Sequence, residues 1–292
     1  MLLGLIRSMR PKQWFKNVFV LAPLVFAKDL FKSAVFLRAV AAFFVFSLLA
    51  GAIYIINDIV DADADRRHPT KKHRPIAAGI VPPGTAKVAA TILVVGSIGG
   101  ATALSLGVAG CALAYLVNNL AYSLRIKHVP YLDVSSIALG FVLRVLAGSY
   151  AVSVRPSFYI IACTALLALF LGFGKRRHEL KVNQAKARAS LEGYSPKALT
   201  FALYLLGVLT VAGYVAYTLD PVTVAFFHTP YLWVTTPFVM IELWIFVQLV
   251  RDENRLESPT DAILNHVPFI LVLVMYAVLI LTLVYKLRPS AG

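Results

Sequence analysis

The chain has 292 residues, of which 59% are hydrophobic and only 14% are charged, and its net charge is +14. Soluble domains average about 45–50% apolar and about 25% charged residues, so an ordinary soluble domain is excluded. An excess of basic residues can indicate nucleic-acid binding. Here the charges lie in short stretches between long apolar runs. The composition therefore predicts an all-α integral membrane protein that binds no nucleic acid.

Nine apolar segments are candidates for transmembrane helices, each of which needs about 20 mostly apolar residues. The first segment is short, and the number of spans becomes even if that segment re-enters the membrane instead of crossing it. The nine segments are 17–27, 34–56, 87–107, 109–124, 133–153, 157–174, 199–218, 230–250 and 265–285.

The basic residues between these segments are unevenly distributed. If the N-terminus is cytoplasmic and the segments alternate in direction, 21 Lys and Arg residues fall on the cytoplasmic side and six on the other. Cytoplasmic loops of membrane proteins carry such an excess. The sequence therefore predicts a multi-pass protein of the inner (plasma) membrane with a cytoplasmic N-terminus and, with nine spans, an outside C-terminus.

An acidic stretch, NDIVDADAD, covers residues 57–65 at the end of the second apolar segment. At about 100° per residue in a helix, Asp63 points away, whereas four side chains share one arc: Asn57, Asp58, Asp61 and Asp65. Carboxylates this close repel one another unless a cation lies among them. Oxygen ligands of this kind suit Mg²⁺, which binds through one or two carboxylates together with substrate phosphates. We expect these four residues to be metal ligands.

A dense basic run, RRHPTKKHRP, follows at residues 66–75. The planar fork of arginine and the point charge of lysine both suit phosphate. The alternative is a solvated helix end whose acids simply pair with these bases. Acidic residues followed at once by basic ones favour a site for Mg²⁺ and a diphosphate, because both charges are needed there.

Three motifs resemble those of the UbiA superfamily of intramembrane prenyltransferases. The acidic stretch resembles its first aspartate-rich motif, RPKQWFKN at 10–17 resembles its amphipathic N-terminal segment, and YSLRIK at 122–127, with Asp133 soon after, resembles the loop after its fourth span. The resemblance implies a UbiA-like bundle of about nine transmembrane helices, forming a single catalytic domain over residues 1–292. It also implies Mg²⁺ as cofactor, an active site facing the cytoplasm and catalytic roles for Asp58, Asp61 and Asp65.

The second acidic motif of this superfamily, usually Asp-x-x-x-Asp, corresponds to GKRRHE at 174–179, where only Glu179 is acidic. This departure is closest to the branch that transfers a 5-phosphoribosyl group from phosphoribosyl pyrophosphate to a polyprenyl (decaprenyl) phosphate and releases pyrophosphate, for arabinan cell-wall precursors. The resemblance thus implies these two substrates and membrane lipid as partners. A homo-oligomer is compatible with the sequence.

Two other functions remain open from the sequence. One is transfer of a prenyl group from a prenyl diphosphate to an aromatic acceptor, and the other is transport. Transporters usually have broken helices near the middle of the membrane, whereas these charges gather at one membrane face, which favours an enzyme.

Eleven residues are expected to bind the substrates. Arg144 lies within the fifth span and is expected to face the bundle interior, where it binds either a substrate phosphate or the acids Asp133 or Glu242. The full set is Arg10, Lys16, Asn57, Arg66, Arg74, Tyr122, Lys127, Arg144, Lys175, Arg176 and Glu179.

Overall fold

The computed structural model describes residues 1–182, 193–252 and 259–285. Within these ranges the chain is helical and contains no strand. The α-helices are α1 (Leu2–Ser8), α2 (Ala22–Phe26), α3 (Ser33–Val60), α4 (Ala62–Arg67), α5 (Pro83–Leu104), α6 (Leu106–Leu124), α7 (Leu132–Ala151), α8 (Phe158–Val182), α9 (Pro196–Leu219), α10 (Pro221–Phe227), α11 (Thr236–Arg251), α12 (Pro259–Ala262) and α13 (Val267–Tyr285).

Eight helices of the described chain are long and apolar enough to cross a membrane, so the chain is a multi-pass integral membrane protein. They are α3, α5, α6, α7, α8, α9, α11 with the preceding 3₁₀ turn at Tyr231–Thr235, and α13. The all-α fold class is thereby confirmed. Helix α8 continues eight residues beyond the predicted end of its apolar segment, to Val182, so the basic run at 175–179 is helical.

The first predicted span, at 17–27, is not a long α-helix. A 3₁₀ helix at Pro11–Val20 and the short helix α2 take its place, which leaves eight long helices where nine segments were predicted. Hydropathy reports apolar length only, and it does not distinguish a 3₁₀ helix from an α-helix.

This segment nevertheless runs antiparallel beside α3. A 3₁₀ helix rises about 2.0 Å per residue, so the ten residues of Pro11–Val20 cover about 20 Å. Arg10 binds Asp58 and Asn17 binds Ser47, while Leu24 of the following α2 shares a buried cluster with Ala39, so the partners lie successively earlier on α3. Residue 10 therefore lies at the acidic end of α3.

The chain divides into two compact units. Unit 1 comprises Met1–Leu124 and Val142–Pro156, and unit 2 comprises Arg125–Phe141 and Ser157–Gly292. Helix α7 contributes its first half to unit 2 and its second half to unit 1.

The core of unit 1 is built around α3, α6 and the second half of α7. Phe46, Leu49 and Val108 are fully buried in it. A Cβ atom at Gly148 would lie 2.0 Å from the carbonyl oxygen of Val20, so only glycine lets the 3₁₀ segment pack directly on α7. The backbone of this segment is thus held directly against the second half of α7.

The core of unit 2 is centred on α8, α9 and α11. Phe170 and Phe246 are buried, with their ring centroids 5.2 Å apart. A Cβ atom at Gly174 would lie 2.4 Å from Cε1 of Phe246, so α8 approaches α11 closely just before its basic run. This packing fixes which face of that run is buried.

Candidate active site

The acidic stretch lies across the junction between α3 and α4. Helical hydrogen bonds continue through the junction, because the amide of Asp61 donates to the carbonyl of Asn57 (2.9 Å) and that of Asp65 donates to the carbonyl of Asp61 (2.8 Å). The side chains of Asp58 and Asp65 are 2% and 4% exposed, whereas that of Asp63 is 83% exposed. The structure thus separates Asp63 from the other acids, as the helical spacing predicts.

Two arginines bind the buried carboxylates. Arg10 Nη2 donates to Asp58 Oδ1 at 2.5 Å. Arg74 Nη1 lies between the two acids, 2.6 Å from Asp65 Oδ2 and 3.3 Å from Asp58 Oδ1. Arg74 therefore bridges α3 and α4 from the loop that follows them, and it neutralises charge that the two carboxylates could not otherwise hold side by side.

Arg10 is held in place by its backbone and by a ring. It has a φ of 51°, in the left-handed region, where it caps the 3₁₀ helix. Its guanidinium lies over the ring of Tyr54, 4.8 Å from the centroid, one turn before Asp58 on α3. This stacking is favourable for a planar guanidinium and fixes the fork at the acidic end of the helix.

The oxygen atoms of this face fit a hard divalent cation. Asn57 Oδ1 is buried without a hydrogen-bond partner in the described chain. Asp58 and Asp65 each have one carboxylate oxygen bound by arginine, and their other oxygens accept no described hydrogen bond. No group of three His, Cys, Asp or Glu residues placed to hold a metal occurs in the ranges described. Mg²⁺ does not need three, since it takes one or two carboxylates plus substrate phosphates and water.

The other basic residues near this face are arranged differently. Arg66 is about half exposed and pairs with Asp63 at 2.6 Å, so it lies on the outer side of α4. Lys16 lies half-buried on the 3₁₀ segment, with its Nζ 5.9 Å from the ring centroid of Phe15. Arg10 and Arg74, both predicted to bind phosphate, contact Asp58 and Asp65 of the acidic face.

Arg144 lies inside unit 1, and its side chain donates hydrogen bonds to neutral groups. Its Nε donates to Asn17 Oδ1 and its Nη2 donates to the hydroxyl of Tyr115, both at 2.7 Å. The predicted carboxylate partners are arranged otherwise: Asp133 is bound by Arg176, and Glu242 Oε1 is buried without a partner in the described chain. Arg144 therefore ties the 3₁₀ segment to α6 and α7.

Unit 2 contains a second cluster of acids and bases, around Asp133. This residue is fully buried, and its Oδ2 accepts from Arg176 Nε at 2.7 Å. Its Oδ1 accepts from the hydroxyl of Tyr194 at 2.5 Å. Arg176 Nη1 donates to Glu179 Oε2. One guanidinium is thus held between a carboxylate of α7 and a carboxylate of α8.

Arg176 and Glu179, which are predicted to bind substrate, bind each other in this cluster, and the side chain of Arg176 is only 3% exposed. Their roles toward substrate stay predictions. Tyr194 was not predicted at all. Burial raises the pKa of Tyr194, and its hydrogen bond to Asp133 raises that pKa further. No local sequence pattern could have found this partner, because it lies 61 residues from Asp133.

The remaining predicted site residues of unit 2, and one of α6, are half-buried. Lys127 lies in the 3₁₀ turn Ile126–His128, Lys175 lies on α8, and Tyr122 lies near the end of α6 in unit 1. Their roles toward substrate stay predictions. Arg177 donates to Thr200 Oγ1 of α9 at 2.9 Å.

Comparison with known families and curated proteins gives consistent matches. The sequence profile of the UbiA prenyltransferase family matches residues 17–267. A decaprenyl-phosphate phosphoribosyltransferase of Corynebacterium glutamicum is 39% identical over 224 residues, which cover 74% of this chain and 68% of the relative. A protein of the same name from Mycobacterium tuberculosis is 37% identical over 218 residues, 72% of each chain.

Solved structures match the fold. A UbiA homolog from Archaeoglobus fulgidus, solved bound to DMAPP and Mg²⁺, superimposes with a TM-score of 0.74 at 19% identity, covering 97% of this chain and 100% of that one. A digeranylgeranylglyceryl phosphate synthase structure superimposes with a TM-score of 0.70 at 17% identity, covering 98% and 99%. At these identities the likeness establishes the fold.

Proposed function

We propose that this chain, which belongs to the UbiA prenyltransferase family, transfers 5-phosphoribosyl from phosphoribosyl pyrophosphate to a polyprenyl phosphate and releases pyrophosphate. Relatives that are 37–39% identical over about three quarters of the chain carry the name of that activity. The observation in the structure that carries the proposal is the pair Arg10 and Arg74, whose guanidinium groups lie on the carboxylates of Asp58 and Asp65. A diphosphate needs positively charged ligands such as these arginines, and the metal that binds it needs negatively charged ligands such as these carboxylates beside them.

Four residues of unit 1 would hold Mg²⁺ through oxygen atoms, and the buried, unpartnered Oδ1 of Asn57 supports this assignment. When bound, the metal would neutralise charge on the pyrophosphate as it leaves. The four residues are Asn57, Asp58, Asp61 and Asp65.

The arginines would bind and orient the diphosphate of the donor. The bond between C1 of the ribose and the pyrophosphate oxygen breaks with oxocarbenium character, and an oxygen of the lipid phosphate forms the new bond to C1. The attacking phosphate is already anionic, so the chain needs no strong general base. Donors preorganised where charge develops, such as Arg10 and Arg74, lower this kind of barrier.

The acidic end of α3 would face the cytoplasm. The distribution of basic residues supports this orientation, and phosphoribosyl pyrophosphate is a soluble, highly charged molecule that would reach the site from that side. The polyprenyl chain of the acceptor would lie in the membrane, beside the spanning helices.

Donor choice tests the proposal. Purified protein in detergent with Mg²⁺ is offered ribose-labelled phosphoribosyl pyrophosphate with decaprenyl phosphate, and in a parallel reaction a labelled prenyl diphosphate with an aromatic acid. We expect label in the lipid phosphate in the first reaction and no prenylated product in the second. The reverse pattern would establish the prenyltransferase alternative, and no turnover in either reaction would leave a transporter as the favoured function.

A further inference from the structure

Arg10 and Arg74 use only part of their hydrogen-bonding capacity. Each binds carboxylate through a single nitrogen, Nη2 in Arg10 and Nη1 in Arg74, and the remaining guanidinium N–H groups have no partner in the described chain. Their side chains are 32% and 27% exposed, whereas the carboxylates below are 2% and 4% exposed. An anion arriving from water therefore meets unused N–H groups before it meets the acids.

The charges of Asp58 and Asp65 are balanced by those of the two arginines. Asp58 and Asp65 carry two negative charges, and Arg10 and Arg74 place two positive charges within 3.3 Å of their oxygens. A divalent cation approaching the same carboxylates is repelled by the adjacent guanidinium groups, and the repulsion is strong because the acids are shielded from water. The arginines thus oppose a metal ion that arrives alone.

A diphosphate changes this balance. Its oxygens can accept the unused N–H groups of both arginines in charge-assisted hydrogen bonds. The positive charge is then shared with the phosphates, and the acidic oxygens become more attractive to a metal that also binds those phosphates. We propose that Arg74, with Arg10, couples the two ligands: it weakens the binding of Mg²⁺ alone and strengthens the binding of diphosphate with Mg²⁺.

This inference rests on the proposed metal and diphosphate site and adds an order to it, in which metal and diphosphate enter together. Because binding equilibria are linked, diphosphate must raise the affinity for the metal by the same factor by which the metal raises the affinity for diphosphate. Removing Arg74 should therefore shift the two affinities in opposite directions. Loss of fold would weaken both.

The experiment measures two dissociation constants in detergent by calorimetric titration, for Mg²⁺ alone and for pyrophosphate at a fixed, saturating free Mg²⁺ concentration. In Arg74→Gln we expect Mg²⁺ alone to bind about tenfold more tightly and pyrophosphate to bind about tenfold more weakly, within the usual range of coupling between sites. The solution complex of Mg²⁺ with pyrophosphate is common to all variants and cancels in the ratios.

Arg67→Gln is the matched control, because it removes one positive charge from α4 at an exposed position whose described contact is with the carbonyl of Asp63. It should leave both constants within about twofold, since an exposed charge is screened by water and salt. Arg10→Gln should repeat the opposite shifts at smaller size, and it keeps the test available if Arg74→Gln does not fold.

The outcomes separate this inference from the proposed function. Weakening of both ligands in folded Arg74→Gln and Arg10→Gln, or an unchanged affinity for Mg²⁺ alone, would overturn the coupling. Absence of Mg²⁺ binding with and without pyrophosphate in every variant would overturn the metal site itself. Pyrophosphate is common to phosphoribosyl and prenyl donors, so the coupling can be measured whichever donor the protein uses.

Discussion

Each unit contains an arginine that binds two carboxylates, and the two arginines differ in their exposure to water. Arg74 of unit 1 uses one nitrogen for both acids and is 27% exposed. Arg176 of unit 2 uses Nε for one acid and Nη1 for the other and is 3% exposed. The same pairing of residue types thus yields a group open to an anion in one unit and a closed structural link in the other.

Burial and geometry account for the difference. Asp133 accepts from Arg176, Tyr194 and its neighbouring backbone amide, so its oxygens are satisfied. The buried Asp58 instead accepts through a single oxygen, Oδ1, from two partly exposed arginines. The two arginines share their residue type, and what distinguishes them is exposure, at 27% for Arg74 and 3% for Arg176.

Loss of a carboxylate from the acidic face of unit 1 should have the strongest effect of the substitutions considered. Asp58→Ala should lower turnover at least about 1000-fold, because it removes a proposed metal ligand and several kcal/mol of charge stabilisation. Asp63→Ala, which removes an exposed carboxylate of the same segment, should change turnover less than about twofold. Initial rates of phosphoribosyl transfer for the two purified variants check this. Equal losses would contradict the assignment of one helical face.

The next effect concerns the closed cluster of unit 2. Asp133→Asn should destabilise the protein by about 3–5 kcal/mol, because a buried arginine loses a charged partner. Thermal unfolding in detergent measures the change, with Asp63→Asn as a control for loss of an exposed carboxylate. Replacing both partners, in Asp133→Leu with Arg176→Met, should recover most of the stability. A double variant as unstable as Asp133→Asn would contradict the explanation that the cost comes from leaving a buried charge without its partner.

Loss of the Tyr194 hydroxyl should destabilise unit 2 less than loss of the Asp133 charge. Tyr194→Phe removes the hydroxyl that donates to Asp133 and accepts from the amide of Tyr131 at 2.7 Å. We expect a loss of about 1.5–3 kcal/mol, the usual range for a hydrogen bond to a charged group. The same unfolding assay measures it, and an unchanged midpoint would mean that Arg176 and the neighbouring backbone amide hold Asp133 without the tyrosine.

Periodic features of this chain could be read from its sequence. Apolar length predicted the eight long helices, and helical spacing predicted that Asp63 would point away from Asp58 and Asp65. Both follow from the geometry of a single helix.

Contacts between distant segments could not be read in this way. Arg10 meets Asp58 across 48 residues because the intervening 3₁₀ segment runs back along α3. Arg176 meets Asp133 across 43 residues because α7 and α8 pack together in unit 2. Local patterns carry no information on either approach, so they did not predict that Arg176 binds Asp133.

If the acidic face of unit 1 holds the metal used in transfer, the rate of transfer must depend on Mg²⁺ through the carboxylates of that face. Phosphoribosyl transfer is measured against free Mg²⁺ for the native protein and for Asp65→Asn. We predict no transfer in EDTA, a saturating rise with Mg²⁺, and a curve displaced to higher Mg²⁺ in the variant. Transfer that persists in EDTA, or curves that coincide, would contradict the claim.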